Sequence, residues 1–98
     1  MTCGGGMIRR FRHKALKRFF EEDDRRGLPF DMVARIGDIL QTLDASDAIE
    51  GMDRPSYRLH ALRGDLKGCW AVTVRANWRI VFRLDRGDAV DVDFLDYH

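Results

Sequence analysis

The stretch WAVTVRANWRIVFRLDRGDAVDVDF, Trp70 to Phe94, decides the fold: apolar and polar residues alternate along it, and the alternation breaks only at two turn-like spots. Trp70, Val72 and Val74 flank Ala71 and Thr73. Trp78, Ile80, Phe82 and Leu84 flank Arg79, Val81 and Arg83, and Val90, Val92 and Phe94 flank Asp91 and Asp93. Working back, Tyr57, Leu59 and Ala61 alternate with Arg58, His60 and Leu62. Four strands are therefore expected, joined at Arg63-Gly64-Asp65, Arg75-Ala76-Asn77 and Asp85-Arg86-Gly87-Asp88. Connections this short make an antiparallel meander.

Register follows from the same alternation, because a one-residue slip would carry every apolar side chain to the other face. A three-residue loop at Arg75 to Asn77 pairs Val74 with Trp78, Val72 with Ile80 and Trp70 with Phe82. A similar loop at Asp85 to Gly87 pairs Phe82 with Val90, Ile80 with Val92 and Trp78 with Phe94. The uncovered face is then expected to carry Thr73, Arg79, Arg83, Asp93 and Tyr97, with Arg79 opposite Asp93. A cross-strand ion pair worth ~0.2–1 kcal/mol would account for that arginine without any function.

Before Pro55 the period is helical. Ala15, Leu16, Phe19 and Phe20 share one face of a helix expected to end at Arg26-Gly27, and Val33, Ile36, Ile39, Leu40 and Leu43 share one face of a second helix with Pro29 near its start. Met7 to Phe11 is a short strand candidate. The expected fold is α+β in the order βααββββ, with two N-terminal helices packed on one face of a mainly antiparallel sheet. Thr2 to Gly6, TCGGG, has no periodicity. It reads as a loose tail or an added start, which leaves residues 7–98 as one domain and residues 1–6 outside it.

The whole chain has 98 residues, of which 45 % are hydrophobic and 34 % charged, so one packed core is affordable and disorder is not expected. No apolar run approaches the ~18–20 residues of a membrane span. Cys3 and Cys69 make no disulfide framework and have no Cys or His neighbours at metal-binding spacing, which points to a reducing, cytoplasmic compartment. The net charge of +1 hides four blocks: +6 over residues 1–20, −7 over 21–53, +6 over 54–83 and −4 over 84–98. Such blocks suit either a patterned solvated surface or a basic face for a phosphate-rich partner.

No phosphate loop, dinucleotide fingerprint, zinc-protease helix or nucleophile elbow is present. What remains is a set of cationic and proton-transferring side chains on the sheet and its rim: His60, Arg63, Arg75, Arg79, Arg83, Tyr97 and His98. Cutting RNA beside its own 2′-hydroxyl needs a base for that hydroxyl, cations for the crowded phosphorane and an acid for the departing 5′-oxygen. Histidine serves either proton transfer near neutral pH, and arginine offers a planar fork for phosphate oxygens. Each residue also has a plainer role. His60 could be tied to backbone, Arg63 could be a turn residue, and Tyr97 and His98 are terminal.

From Met7 to His98 the chain resembles the HigB toxins of the RelE/ParE superfamily. The likeness is carried by Ile8-Arg9-Arg10-Phe11-Arg12-His13-Lys14, Tyr57-Arg58-Leu59-His60-Ala61-Leu62-Arg63-Gly64-Asp65, Gly68-Cys69-Trp70, Val74-Arg75-Ala76-Asn77-Trp78-Arg79-Ile80 and Asp96-Tyr97-His98. The resemblance implies a bacterial, ribosome-dependent mRNA interferase that needs no metal or other cofactor and is silenced by a HigA-like helix-turn-helix antitoxin. It implies catalytic roles for His60, Arg63, Arg79, Tyr97 and His98, with Asp96 in second place, and Arg58, Lys67, Arg75 and Arg83 are expected to contact RNA. Arg63 stands where relatives commonly carry lysine, and a guanidinium cannot practically release a proton, so it can stabilise charge but not act as the acid. The competing expectation is a ParE-like toxin that binds gyrase without cutting RNA, or a domain that only binds its antitoxin.

Overall fold

The computed structural model describes residues 7–46 and 49–96. Two helices, α1 (Lys14–Glu22) and α2 (Val33–Ala45), precede four strands, β1 (His60–Ala61), β2 (Trp70–Arg75), β3 (Trp78–Asp85) and β4 (Asp88–Asp96), which pair in chain order as an antiparallel sheet. The α+β meander expected from the alternation is the architecture found.

His13 starts α1 by accepting the Leu16 N–H on Nδ1 at 3.3 Å. The helix stops at Glu22, short of the expected Arg26-Gly27, because Asp23 turns left-handed (φ 56°) and its N–H closes on the Phe19 carbonyl. Aspartate tolerates that region better than most residues, so glycine was not needed for the stop. The apolar stripe of α2 buries Ile36, Ile39, Leu40 and Leu43 against Val72, Ile80, Phe82, Val92 and Phe94 of the sheet. Burying each such side chain is worth ~1.5–3 kcal/mol, which makes this layer the main source of stability.

The expected first strand is not continuous. Its residues run parallel to β4 through two separate bridges, Ile8 to Ala89 and Phe11 to Val92, because Asp91 between those partners adopts φ 54° and interrupts the ladder. The strand expected to include Tyr57 is cut to His60–Ala61. Pro55 opens a single helical turn instead, Arg58 follows at φ 51°, and Tyr57 swings inward, where its hydroxyl donates to Asp38 Oδ2 at 2.6 Å.

Both hairpins differ from the expected three-residue loops in the same way. The β2–β3 turn uses Ala76 and Asn77, with Arg75 opposite Trp78, and a bulge between Thr73 and Arg75 then restores the expected pairs Val72 with Ile80 and Trp70 with Phe82. The β3–β4 turn uses Arg86 and Gly87, both with positive φ (56° and 88°) as a two-residue hairpin turn of type I′ demands. That turn sets Leu84 opposite Ala89, and a bulge at Asp91 shifts the pairing to Ile80 with Phe94 and Val81 with Asp93. Each bulge adds the one residue needed to return the apolar side chains to the core face. The expected pairs Phe82–Val90, Ile80–Val92, Trp78–Phe94 and Arg79–Asp93 are thereby replaced, and Arg79 faces Leu95.

Candidate functional site

On the sheet face away from the helices, His60, Ala71, Val81 and Asp93 form one cross-strand row, and Thr73, Arg79 and Leu95 form the next. Antiparallel partners share a face, so His60 and Arg79 lie on the same side. Two interstrand steps and one two-residue step put their Cα atoms ~12 Å apart, within joint reach of an imidazole and a long arginine. A small apolar cluster of Leu62, Ala71 and Val81, with Leu66, Cys69 and Leu95 against it, floors this face.

His60 is exposed, and its Nδ1 lies 3.0 Å from the Arg58 carbonyl oxygen. A carbonyl can only accept, so this bond requires the proton on Nδ1 and leaves the lone pair of the neutral ring on Nε2. The left-handed turn at Arg58 that aims this carbonyl is the same turn that cuts the strand short. The backbone bond expected of His60 is present, and the ring that makes it is exposed.

Arg79 is half-buried at the start of β3, and its Nη1 donates to the carbonyls of Ala76 at 2.7 Å and Trp78 at 3.3 Å. Its Nε is buried without a hydrogen-bond partner among the described residues, a costly state for a cation. Asp93 is set opposite Val81 rather than Arg79, and its carboxylate accepts the Phe94 N–H at 2.9 Å.

The other expected residues scatter. Arg63 is exposed just before the Gly64–Leu66 turn, and Arg58 is exposed in the turn before β1. Arg75 does not join the open face, because it forms an ion pair with Asp31 in front of α2. Asp96 pairs with Trp78 across the ladder, which by strand parity puts it on the opposite face from Arg79. Tyr97 and His98 lie outside the described residues. In the sequence Tyr97 comes two positions after Leu95, the partner of Arg79, whereas the expected register had made that interval four.

Lys67 and Arg83 line a hollow of about 160 Å³ on the open face, with Arg12 as a third cation and Asp65, Asp91 and Asp93 between them. Asp91 is the hub: it accepts from Arg10 Nε at 3.0 Å and lies 3.8 Å from Arg83 Nη1. The Arg10 hydrogen bond holds the Asp91 carboxyl below the usual carboxylate range, and the Asp91 bond in turn raises Arg10. Arg10, Arg12 and Asp91 were not expected at a site. The only signal was the run of three arginines at positions 9, 10 and 12.

A second, larger hollow of about 670 Å³ lies between the helices, lined by Phe19, Leu28, Val33 and Gly37 and flanked by Asp23, Arg25 and Asp38. Phe30 stands at its edge with 94 % of its surface exposed. No described helix is long and apolar enough to cross a membrane.

Comparison with known proteins gives a consistent picture. Residues 9–98 match the HigB-like toxin family, described as the RelE-like toxin of the type II toxin–antitoxin system HigB. The chain is 47 % identical over 92 residues to an endoribonuclease HigB of Proteus vulgaris, covering 94 % of this chain and 100 % of that one. It is 32 % identical over 94 residues to a HigB toxin of Vibrio cholerae, with 94 % and 98 % covered. Among solved structures, a YoeB/ParE toxin from Agrobacterium tumefaciens superposes with a TM-score of 0.54 at 21 % identity, over 91 % of this chain and 99 % of that one. A chain of the YoeB–YefM complex from Staphylococcus aureus gives 0.55 at 18 % identity, over 95 % and 99 %. These two share the fold.

Proposed function

The chain belongs to the HigB-like family of RelE-like toxins of type II toxin–antitoxin systems, and from that premise we propose that it is a metal-independent endoribonuclease that cuts mRNA on the bacterial ribosome. The observation that carries the reading is the juxtaposition of His60 and Arg79 on one open sheet face, each held by backbone carbonyls. The 47 % identity to an endoribonuclease whose whole length aligns with 92 residues of this chain supports it.

In this mechanism Nε2 of His60 takes the proton of an mRNA 2′-hydroxyl. The 2′-oxygen bonds to the adjacent phosphorus, and the P–O5′ bond breaks. His98 gives its proton to the departing 5′-oxygen, leaving a 2′,3′-cyclic phosphate and a 5′-hydroxyl. Negative charge grows on the phosphorane oxygens, and the guanidinium of Arg79, with Arg63 at the rim, stabilises it. An arginine anchored in advance does not have to reorganise when that charge appears. Tyr97 orients the scissile phosphate or stacks on a base, and Asp96, on the other face, supports the strand end rather than the chemistry. Arg58, Lys67 and Arg83 hold rRNA or mRNA phosphates, and Arg12 joins them at the open-face hollow.

The partner in the cytoplasm is a HigA-like helix-turn-helix antitoxin, which silences the toxin by covering the sheet rim or by docking on the acidic helical side, where the Phe30 hollow lies. Incubating the purified toxin with mRNA, with and without programmed ribosomes, tests the reading. Cleavage confined to ribosome-bound message is expected. Equal cutting of free RNA, or no cutting alongside inhibition of gyrase, would replace it.

A further inference from the structure

One side chain behind the open face bonds to the segments that lead into both halves of the site. Arg35, half-buried in the first turn of α2, donates from Nη2 to the carbonyl of Ser56 at 2.5 Å and of Thr73 at 3.2 Å, and from Nε to the carbonyl of Val74 at 3.3 Å. Its guanidinium also lies 5.1 Å from the centre of the Tyr57 ring. Thr73 and Val74 belong to the β2 bulge, where the ladder loses its regular pairing and leaves backbone groups to be satisfied elsewhere. That bulge leads directly into the Ala76–Asn77 turn, whose Ala76 carbonyl holds Arg79. Ser56 sits in the turn that ends at Arg58, whose carbonyl holds His60.

We infer that Arg35 is a positioning residue: by gathering the carbonyls of Ser56, Thr73 and Val74 on one planar guanidinium, it fixes the segment that aims His60 relative to the hairpin that aims Arg79. Beside the site the two segments are also joined by the short β1–β2 ladder, His60 with Ala71 and Ala61 with Trp70, and by the Leu62 N–H on the Cys69 carbonyl at 2.9 Å. A rigid fork with several donors suits this task. A lysine ammonium carries the same charge on a flexible stem without that planar geometry. Arg35 does not touch the reacting atoms, so its effect must appear in the cleavage step rather than in binding. Small misplacements of catalytic groups are expensive there, with losses on the order of 10²-fold for ~1 Å.

The inference rests on the assignment of His60 and Arg79 as catalytic, and the experiment separates the two. Single-turnover cleavage of ribosome-bound mRNA, ribosome affinity and melting temperature are measured for Arg35→Lys, Arg35→Met, Tyr57→Phe and Arg79→Ala. Tyr57→Phe loosens the same region by removing the hydroxyl bonded to Asp38, and it leaves the three carbonyl contacts of Arg35 in place. The expected result is a cleavage rate lowered roughly 10–100-fold by Arg35→Met and less by Arg35→Lys, with ribosome affinity unchanged. Tyr57→Phe should cleave at the parental rate despite a lower melting temperature. If Arg35→Met does not fold, the order of parent above Arg35→Lys decides the matter. Parental cleavage in both Arg35 variants, with Arg79→Ala impaired, overturns this inference and leaves the site assignment standing. Rates that follow melting temperature through Tyr57→Phe also overturn it. Parental cleavage by Arg79→Ala overturns both.

Discussion

Arg79 donates from Nη1 to the carbonyl of Ala76 at 2.7 Å, so the strand arginine of the open face is anchored by the turn that precedes it. The anchor occupies one edge of the guanidinium. Its Nε stays buried without a partner among the described residues, a desolvation cost that the anchored conformation carries.

Replacing Arg79 should therefore act on the cleavage step. Arg79→Ala is expected to lose ~10²–10³-fold in single-turnover rate, the scale of removing a donor to a developing oxyanion. Arg79→Lys should recover little, because an ammonium cannot hold the Ala76 carbonyl and offer a fork to phosphate together. Ribosome affinity measured in parallel should change much less than the rate, and a loss confined to affinity would count against the assignment.

The Tyr57 hydroxyl links β1's approach to α2 through Asp38 and Thr42, at 2.6 and 3.1 Å. Burial, followed by the bond to Asp38, pushes this phenol above its ordinary value of 10.0. A raised folded-state value means that its contribution is complete below the unfolded value and is lost as pH rises through the folded one. Tyr57→Phe is thus expected to cost about 1 kcal/mol near neutral pH and to flatten part of the alkaline decline in stability above pH ~10. Urea unfolding of both proteins across that range checks the sign.

Lys67, Arg83 and Arg12 share the open-face hollow with Asp65, Asp91 and Asp93, and in the proposed function its three cations meet backbone phosphates. Ribosome binding should weaken steeply with salt, and Arg83→Gln should reduce the slope of log affinity against log salt by about 1. An unchanged slope would remove Arg83 from the interface.

Phe30, exposed beside the hollow between the helices, distinguishes the two ways of silencing. If the antitoxin docks on the helical side, Phe30→Glu should weaken its binding at least tenfold and leave cleavage intact. Unchanged antitoxin affinity, measured by calorimetry, would direct attention to the sheet rim.

Much of this was legible in the residues themselves. Val72, Ile80 and Phe82 announced their strands and their mutual pairing, and Ile36, Ile39, Leu40 and Leu43 announced a core-facing helix. The turns were harder to read. Arg86-Gly87 supports a two-residue hairpin only because Asp91 later adds a bulge, and a bulge forced by packing has no local sequence mark. The two-residue turn and that bulge, one residue of register each, moved the partner of Arg79 from Asp93 to Leu95. His60 and Arg79 could be singled out by type alone, whereas Arg35 looks like any solvated helix arginine until the three carbonyls it holds are assembled from distant segments.

The measurement closest to the central claim is the pH dependence of single-turnover cleavage of ribosome-bound mRNA by the parent, His60→Ala and His98→Ala proteins. The parent should give a bell, rising as the base loses its proton and falling as the acid loses its own. His60→Ala should lose ~10²–10⁴-fold and abolish the rising limb, while His98→Ala should lose a similar amount and abolish the falling limb. Arg79→Ala should lower the curve without changing its shape. Parental rates and an intact bell in both histidine variants would contradict the account.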